Sequence, residues 1–313
     1  MRYINPGFAE FLDVDGGTTV QDATYNPTNG VAFYQPTDME GVSISNSVSE
    51  FYGKFDIYLP QISSLPSNYF AKVGIYKPGN TNSGLNGVGL YKYSSSYIHV
   101  KSLVLGSNDK TITNSDAAFN FGGINHFYFY FKARSESTAD GEYFIYMNGT
   151  KILEATGKWI YMDNATKLVI YASEATPISN IILADEEISM REQIQAVPLG
   201  TPATDMIDRE DGTYLADTAG QQILQTVDVA SLVSQYGGSS RVTGIAIGGK
   251  PAYRTAEGLT TLTGISKASG ESQVEHGTKT LRTSTAAGAV DCYSVNTTIA
   301  DMVGLELGWK AGV

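Results

Sequence analysis

The stretch from His126 to Glu154, HFYFYFKARSESTADGEYFIYMNGTKILE, decides the fold. Phe127, Phe129 and Phe131 share one parity and Tyr128 and Tyr130 the other, the two-residue period of a strand whose faces differ. A polar, small-residue run from Ser135 to Gly141 breaks this strand. A second strand, Tyr143 to Met147, meets Asn148-Gly149 and returns as Thr150 to Leu153. Asn-Gly suits a two-residue type I′ turn, because both central residues need positive φ. The segment therefore predicts a three-stranded antiparallel meander with a row of aromatics facing a core.

The rest of the chain has the composition such a fold needs. It has 313 residues, a length that suits two domains. Charged residues make up 17%, with 33 Gly and 20 Tyr, as short strands and tight turns require. The net charge of -11, with no clustered Lys and Arg to replace phosphate counterions, argues against nucleic-acid binding. Cys292 is the single cysteine, so no intrachain disulfide forms, and it reads as a small buried hydrophobe in a chain made in a reducing cytoplasm. Met1 to Gly17 holds no apolar run of signal-peptide length, and no stretch of about 18 apolar residues occurs. Neither a cleaved signal nor a membrane span is expected.

Outward from the meander, the first half reads as further short strands: Val31 to Gln35, two within Gly41 to Leu59, Tyr69 to Tyr76, Val88 to Tyr93, Tyr97 to Leu105, Leu168 to Tyr171 and Ile178 to Leu183. Turn signals, among them Asn29-Gly30 and Asn86-Gly87, recur at the spacing of an all-β sandwich. Asp185 is expected to cap a short helix from Glu186 to Val197. Pro198 to Pro202 then marks a boundary, which predicts a β-sandwich over residues 1–198, a linker over 199–204 and a small C-terminal β-domain over 205–313. The C-terminal part predicts short strands at Tyr214 to Ala216, Ile223 to Val227, Val242 to Ile247, Leu259 to Ile265, Thr278 to Thr283, Val290 to Val295 and Leu305 to Lys310. One helix starts at Asp228, turns Val229, Leu232, Val233 and Tyr236 to one side, and stops at Gly237.

Candidate chemistry is sparse. Asp13-Val14-Asp15-Gly16 has the opening spacing of a calcium loop without its downstream ligands, so an acidic turn explains it more simply. Asp185-Glu186-Glu187 reads as helix capping. A retaining hydrolase on a sandwich would place acids at alternating positions of one strand, and no such run exists. Glu136, Asp140 and Glu142 come nearest but straddle a turn. His99, His126 and His276 are far apart and read as strand residues with hydrogen-bonded rings. Gly84 to Gly89 is glycine-rich but has no phosphate-binding Lys-Ser or helix after it. Catalytic residues, metal and cofactor are all expected to be absent. Tyr91, Tyr93 and Tyr97, bracketing Ser94-Ser95-Ser96, are the candidate glycan-binding residues, and the competing reading is a tyrosine face packed in a core or interface.

Four stretches, Phe55-Asp56-Ile57-Tyr58, Phe127 to Phe131, Gly141 to Leu153 and Ile178 to Asp185, resemble in their order the concanavalin A-like lectin/glucanase sandwich of the laminin-G and pentraxin type. The whole arrangement, with the closing IADMVGLELGWKAGV, also resembles bacteriophage and prophage virion proteins of tail- or head-fibre type that carry this sandwich near the N-terminus. The resemblance implies an all-β fold, a jelly-roll sandwich followed by a smaller β-domain with one short helix. It also implies a non-enzymatic fibre, decoration or host-attachment role in a virion made in the bacterial cytoplasm. Implied partners are other virion proteins, further copies of the chain in a trimer or other oligomer, and a host-surface glycan, with no nucleic acid and no membrane. No calcium ligand carries over. The alternative is a carbohydrate-binding module or polysaccharide-degrading enzyme on the same sandwich.

Overall fold

The structure is a computed structural model that describes residues 2–7, 17–35, 48–76, 85–104, 109–113, 115–116, 118–132, 141–158, 167–197, 199–208, 214–249, 259–280 and 289–313. The chain forms two compact units, Met1–Gln195 and Ala196–Val313. The DxDG spacing at Asp13, the first strand expected within Gly41 to Leu59, and Glu136 and Asp140 lie outside the described residues.

The first unit is all β. Its strands are β1 (Arg2–Asn5), β2 (Thr18–Gln21), β3 (Val31–Tyr34), β4 (Glu50–Leu59), β5 (Asn68–Tyr76), β6 (Leu85–Lys92), β7 (Ile98–Ser102) and β8 (Asp109–Ile112). They continue as β9 (Gly123–Lys132), β10 (Gly141–Met147), β11 (Thr150–Lys158), β12 (Lys167–Ala172) and β13 (Ile178–Ala184). One sheet has eight strands in the order β11-β10-β9-β4-β13-β3-β2, with β1 added on β13. The other has five in the order β12-β5-β6-β7-β8. All the pairings are antiparallel.

The meander forms as β9-β10-β11. Asn148 and Gly149 take φ of 48° and 78°, the left-handed pair that a type I′ turn demands. Phe127, Phe129 and Phe131 are buried on the inner face. Phe55 stacks on Phe127 at 4.9 Å and Phe51 on Phe131 at 5.4 Å across the β4–β9 ladder. Phe70, Val73, Ile75, Val88, Leu90 and Val100, all buried, supply the five-stranded sheet's share of the core. Each such side chain contributes roughly 1.5–3 kcal/mol of burial, which makes this two-sheet core the main source of stability.

Two local readings change. Glu186 to Val197 is no helix: it runs as bends and one turn, with Glu192 N–H donating to Ser189 O at 3.0 Å. Its carbonyls are claimed from a distance instead. Tyr128 OH donates to Ile188 O at 3.1 Å, and Lys54 Nζ donates to Met190 O at 3.3 Å and to Glu192 O. Ile188 and Ile194 are buried, so residues 185–195 form a strap. Asn86-Gly87 is no turn either, since both residues lie within β6. Gly87 faces Gly74 of β5, where a Cβ would meet backbone oxygens at 2.1–2.2 Å.

In the second unit β14 (Ala203–Thr204), β17 (Gln222–Thr226), β19 (Thr261–Lys267), β20 (Val274–Thr280) and β22 (Glu306–Gly312) make a five-stranded sheet ordered β14-β17-β22-β19-β20. Two pairs, β15 (Ile207–Asp208) with β16 (Tyr214–Leu215) and β18 (Arg241–Gly249) with β21 (Ala289–Thr298), complete it. Leu199 bridges Val227, so residues 199–204 run beside this sheet. The helix α1 (Val229–Tyr236) forms, with Val229 and Leu232 buried, while Val233, expected on the same apolar side, is exposed. Asp228 accepts from Ser231 N–H at 3.2 Å, and Gly237 ends the helix at φ 83°. Leu232, Leu262, Ile299, Leu307 and Trp309 are the centre of its core.

Candidate functional site on the outer face of the five-stranded sheet

The ladder register of the five-stranded sheet lines up two rows of polar and aromatic residues on the face turned away from the core. In the first row Tyr69 pairs with Tyr91, Tyr91 with His99, and His99 with Thr111, across β5, β6, β7 and β8. In the second, Tyr171 pairs with Lys72, Lys72 with Gly89, Gly89 with Lys101, and Lys101 with Asp109, across all five strands. Tyr69 and Lys72 are three apart, an odd separation that would ordinarily place them on opposite faces. The register shift between Tyr69 and Ala71 inserts Phe70 as an extra residue, which restores the shared face.

His99 lies at the centre of the contacts. Its Nδ1 is 3.2 Å from Asp109 Oδ2, and its Nε2 is 3.5 Å from Thr111 Oγ1. The ring of Tyr93 stacks on it with centroids 4.8 Å apart and an 11° tilt. Asp109 Oδ2 also receives Lys101 Nζ at 3.1 Å. With Nδ1–H donating to the Asp109 carboxylate, Nε2 is the acceptor nitrogen and faces the Thr111 hydroxyl.

The two lysines are seated over tyrosine rings. Lys72 Nζ lies 4.9 Å from the Tyr69 centroid and 5.6 Å from that of Tyr171, and Lys101 Nζ lies 5.1 Å from that of Tyr91. Such cation–π contacts fix an otherwise flexible ammonium in place. The Tyr69 hydroxyl is raised above its ordinary value, by burial first, with Lys101 working the other way. Tyr69 and Tyr91 meet edge to face at 5.2 Å.

Of the tyrosines expected to bind glycan, Tyr91 belongs to the first row. Tyr93 covers His99 and is 67% exposed. Tyr97 sits in the turn joining β6 to β7, 42% exposed, and its carbonyl accepts from Tyr93 N–H at 3.1 Å. Tyr69, Lys72, Lys101, Asp109, Thr111 and Tyr171 were not singled out in the sequence. The alternation Tyr91, His99, Lys101 about one hairpin was the legible signal for part of the group.

The other two histidines also have hydrogen-bonded rings on strands. His276 Nε2 is 2.7 Å from Ser266 Oγ, and its ring stacks on Tyr293. His126 Nδ1 is 2.7 Å from Asp56 Oδ1, and Asn180 Nδ2 donates to Asp56 Oδ2 at 2.8 Å. Asn29 donates to both Asn180 Oδ1 and Ile194 O. This second network ties the outer face of the eight-stranded sheet to the strap, a scaffold role. Among the described residues no three of His, Cys, Asp and Glu gather as a metal-binding group.

No family model matches the chain, and no curated protein matches it. Solved structures that it is similar to include alginate lyase Aly36B, at 14% identity and TM-score 0.34, over 53% of this chain and 79% of that one. Endo-β-1,4-glucuronan lyase from the fungus Trichoderma reesei follows at 13% identity and TM-score 0.37, over 58% and 94%. Sheep galectin-11 matches at 14% and 0.30, over 48% and 98%. These are β-sandwich likenesses at low identity and low score, and they assign no residue here. They do correct the expectation of a non-enzymatic chain, because lyases stand among them. That expectation rested on missing paired carboxylates. A lyase removes a proton beside a carboxylate of its substrate and has no need of such a pair.

Proposed function

We propose that the first unit holds an anionic polysaccharide along the outer face of its five-stranded sheet and cleaves it by β-elimination. The observation that carries this reading is the convergence of Lys72, Lys101, Tyr69, Tyr91, Tyr171 and His99 on one face of an otherwise acidic chain. Pyranose rings stack on tyrosines, and an ammonium pairs with a sugar carboxylate.

In a bound uronate the lysine neutralises the carboxylate, which makes the hydrogen on the adjacent carbon, C5, more acidic. His99 Nε2 takes that proton. The electron pair forms the C4–C5 double bond, the C4–O glycosidic bond breaks, and the departing oxygen takes a proton from Tyr91, the ladder partner of His99. A proton transfer of this kind contributes roughly 10²–10⁴-fold to rate.

The test is incubation of the protein with an anionic polysaccharide and with a neutral one of similar length. The expected result is binding and chain shortening of the anionic polymer, and of that polymer alone. Equal behaviour toward both overturns the reading. A phage fibre or decoration role rests on the sequence resemblance. Its sign would be a trimer or larger assembly in light scattering, and a glycan-holding face would serve such a particle as well.

A further inference from the structure

We infer that the site reads anionic groups on alternate sugar units, so that its ligand class is a polysaccharide whose carboxylates repeat on one side about once per disaccharide. This rests on the anionic-polysaccharide reading above and adds the spacing of the charges. Lys72 and Lys101 occupy one ladder row and are separated by a single strand, β6. Their backbone positions are therefore two strand spacings apart, about 9–10 Å, close to the length of two pyranose units in an extended chain. The rows run across the strands, so a polymer laid along a row meets the two lysines in succession.

What lies between and beyond the lysines supports the alternation. Gly89, between them, presents no side chain. A Cβ there would meet Leu103 Cδ2 at 2.7 Å and Tyr69 Cε1 at 2.8 Å, so these two groups fill the centre of the row. A sugar over that centre meets an apolar and aromatic floor, with the Lys72 ammonium 4.9 Å from the Tyr69 centroid. Beyond Lys101 the row ends in Asp109, whose carboxylate repels another one at the adjacent position. On the other side Lys72 is followed by Tyr171, a stacking surface. The row thus runs aromatic, cation, apolar, cation, acid. Lys72 is held over the rings of Tyr69 and Tyr171, and Lys101 over that of Tyr91 and by Asp109 at 3.1 Å, which restrains both ammoniums.

The experiment compares size-matched oligosaccharides of polyglucuronate, of hyaluronan (one glucuronate per disaccharide) and of gellan (one glucuronate per tetrasaccharide), by titration calorimetry on the full chain at fixed salt. Polyglucuronate and hyaluronan are expected to bind within about threefold of each other, with gellan about tenfold weaker or more. Lys72→Gln and Lys101→Gln are each expected to erase most of that preference while leaving Tm unchanged. If hyaluronan binds as weakly as gellan, or all three bind alike, the alternation is wrong and the anionic-site reading survives. If none of the three binds, the failure lies with the anionic-site reading itself.

Discussion

Gly53 leaves the space that the ring of Phe129 occupies. A Cβ on Gly53 would stand 2.1 Å from Phe129 Cζ and 2.7 Å from Leu183 Cδ2. The two residues face each other across the β4–β9 ladder, so the glycine is what lets the aromatic row of the meander close on its neighbour. Gly53→Ala is therefore expected to cost about 1–3 kcal/mol by overpacking, seen as a lower midpoint in denaturant. An unchanged midpoint would mean that the ring has room to move.

Asn148 does more than turn the chain. Its side-chain oxygen accepts from His126 N–H at 2.8 Å, and its Nδ2 donates to Ala118 O at 2.8 Å and to Asn125 Oδ1 at 3.0 Å. Asn148→Ala loses these bonds and places a β-carbon residue without local compensation at φ 48°. A loss of about 1–3 kcal/mol is expected. Asn148→Gly keeps the turn geometry and loses the bonds, so its deficit relative to Asn148→Ala separates the two causes.

The Asp56–His126 pair sets a pH dependence. The hydrogen bond to Asp56 raises the imidazole above its ordinary value, against a smaller opposing effect of burial. A folded value above the unfolded one makes the protonated form stabilising. That contribution is complete below about pH 6.5, the unperturbed value, and disappears as pH rises through the raised folded value. Asp56→Asn and His126→Gln are expected to flatten stability against pH in that window. The ring is 65% exposed, so the effect is modest. A wild-type profile identical to both variants would contradict the assignment.

Alkali tests the outer aromatic face of the eight-stranded sheet. Burial first, and then Glu187 and Tyr146, push Tyr128 up to about 12. Tyr52 and Tyr130 are raised further by burial and by Glu50. In an ultraviolet titration these three are expected to stay protonated past pH 10, the ordinary range, and to ionise as the protein unfolds. Complete tyrosine ionisation in a folded protein near pH 10 would refute it.

The elements legible in the sequence were those specified by neighbours along the chain. The phenylalanine parity of β9, the Asn148-Gly149 turn and the Asp228 and Gly237 ends of α1 are local signals, and each formed. The strap over residues 185–195 carried helix-capping signals too. It lost them because Lys54 and Tyr128, 60 to 138 positions away, take its carbonyls. The site was half legible for the same reason. Tyr91, Tyr93 and His99 belong to one hairpin, whereas Tyr69, Lys72 and Tyr171 join them through the register of β12 on β5 and the bulge at Phe70. A two-residue period read along a single strand contains neither.

The most direct test of the account is the ultraviolet absorbance of polyglucuronate incubated with wild-type protein and with His99→Gln. Elimination leaves a conjugated, absorbing double bond at the new chain end, which hydrolysis does not. A steady rise is expected with wild type and a rate at least about 10²-fold lower with His99→Gln, while polymer binding stays within a few-fold. A flat trace with wild type, or equal rates from the two proteins, would contradict it.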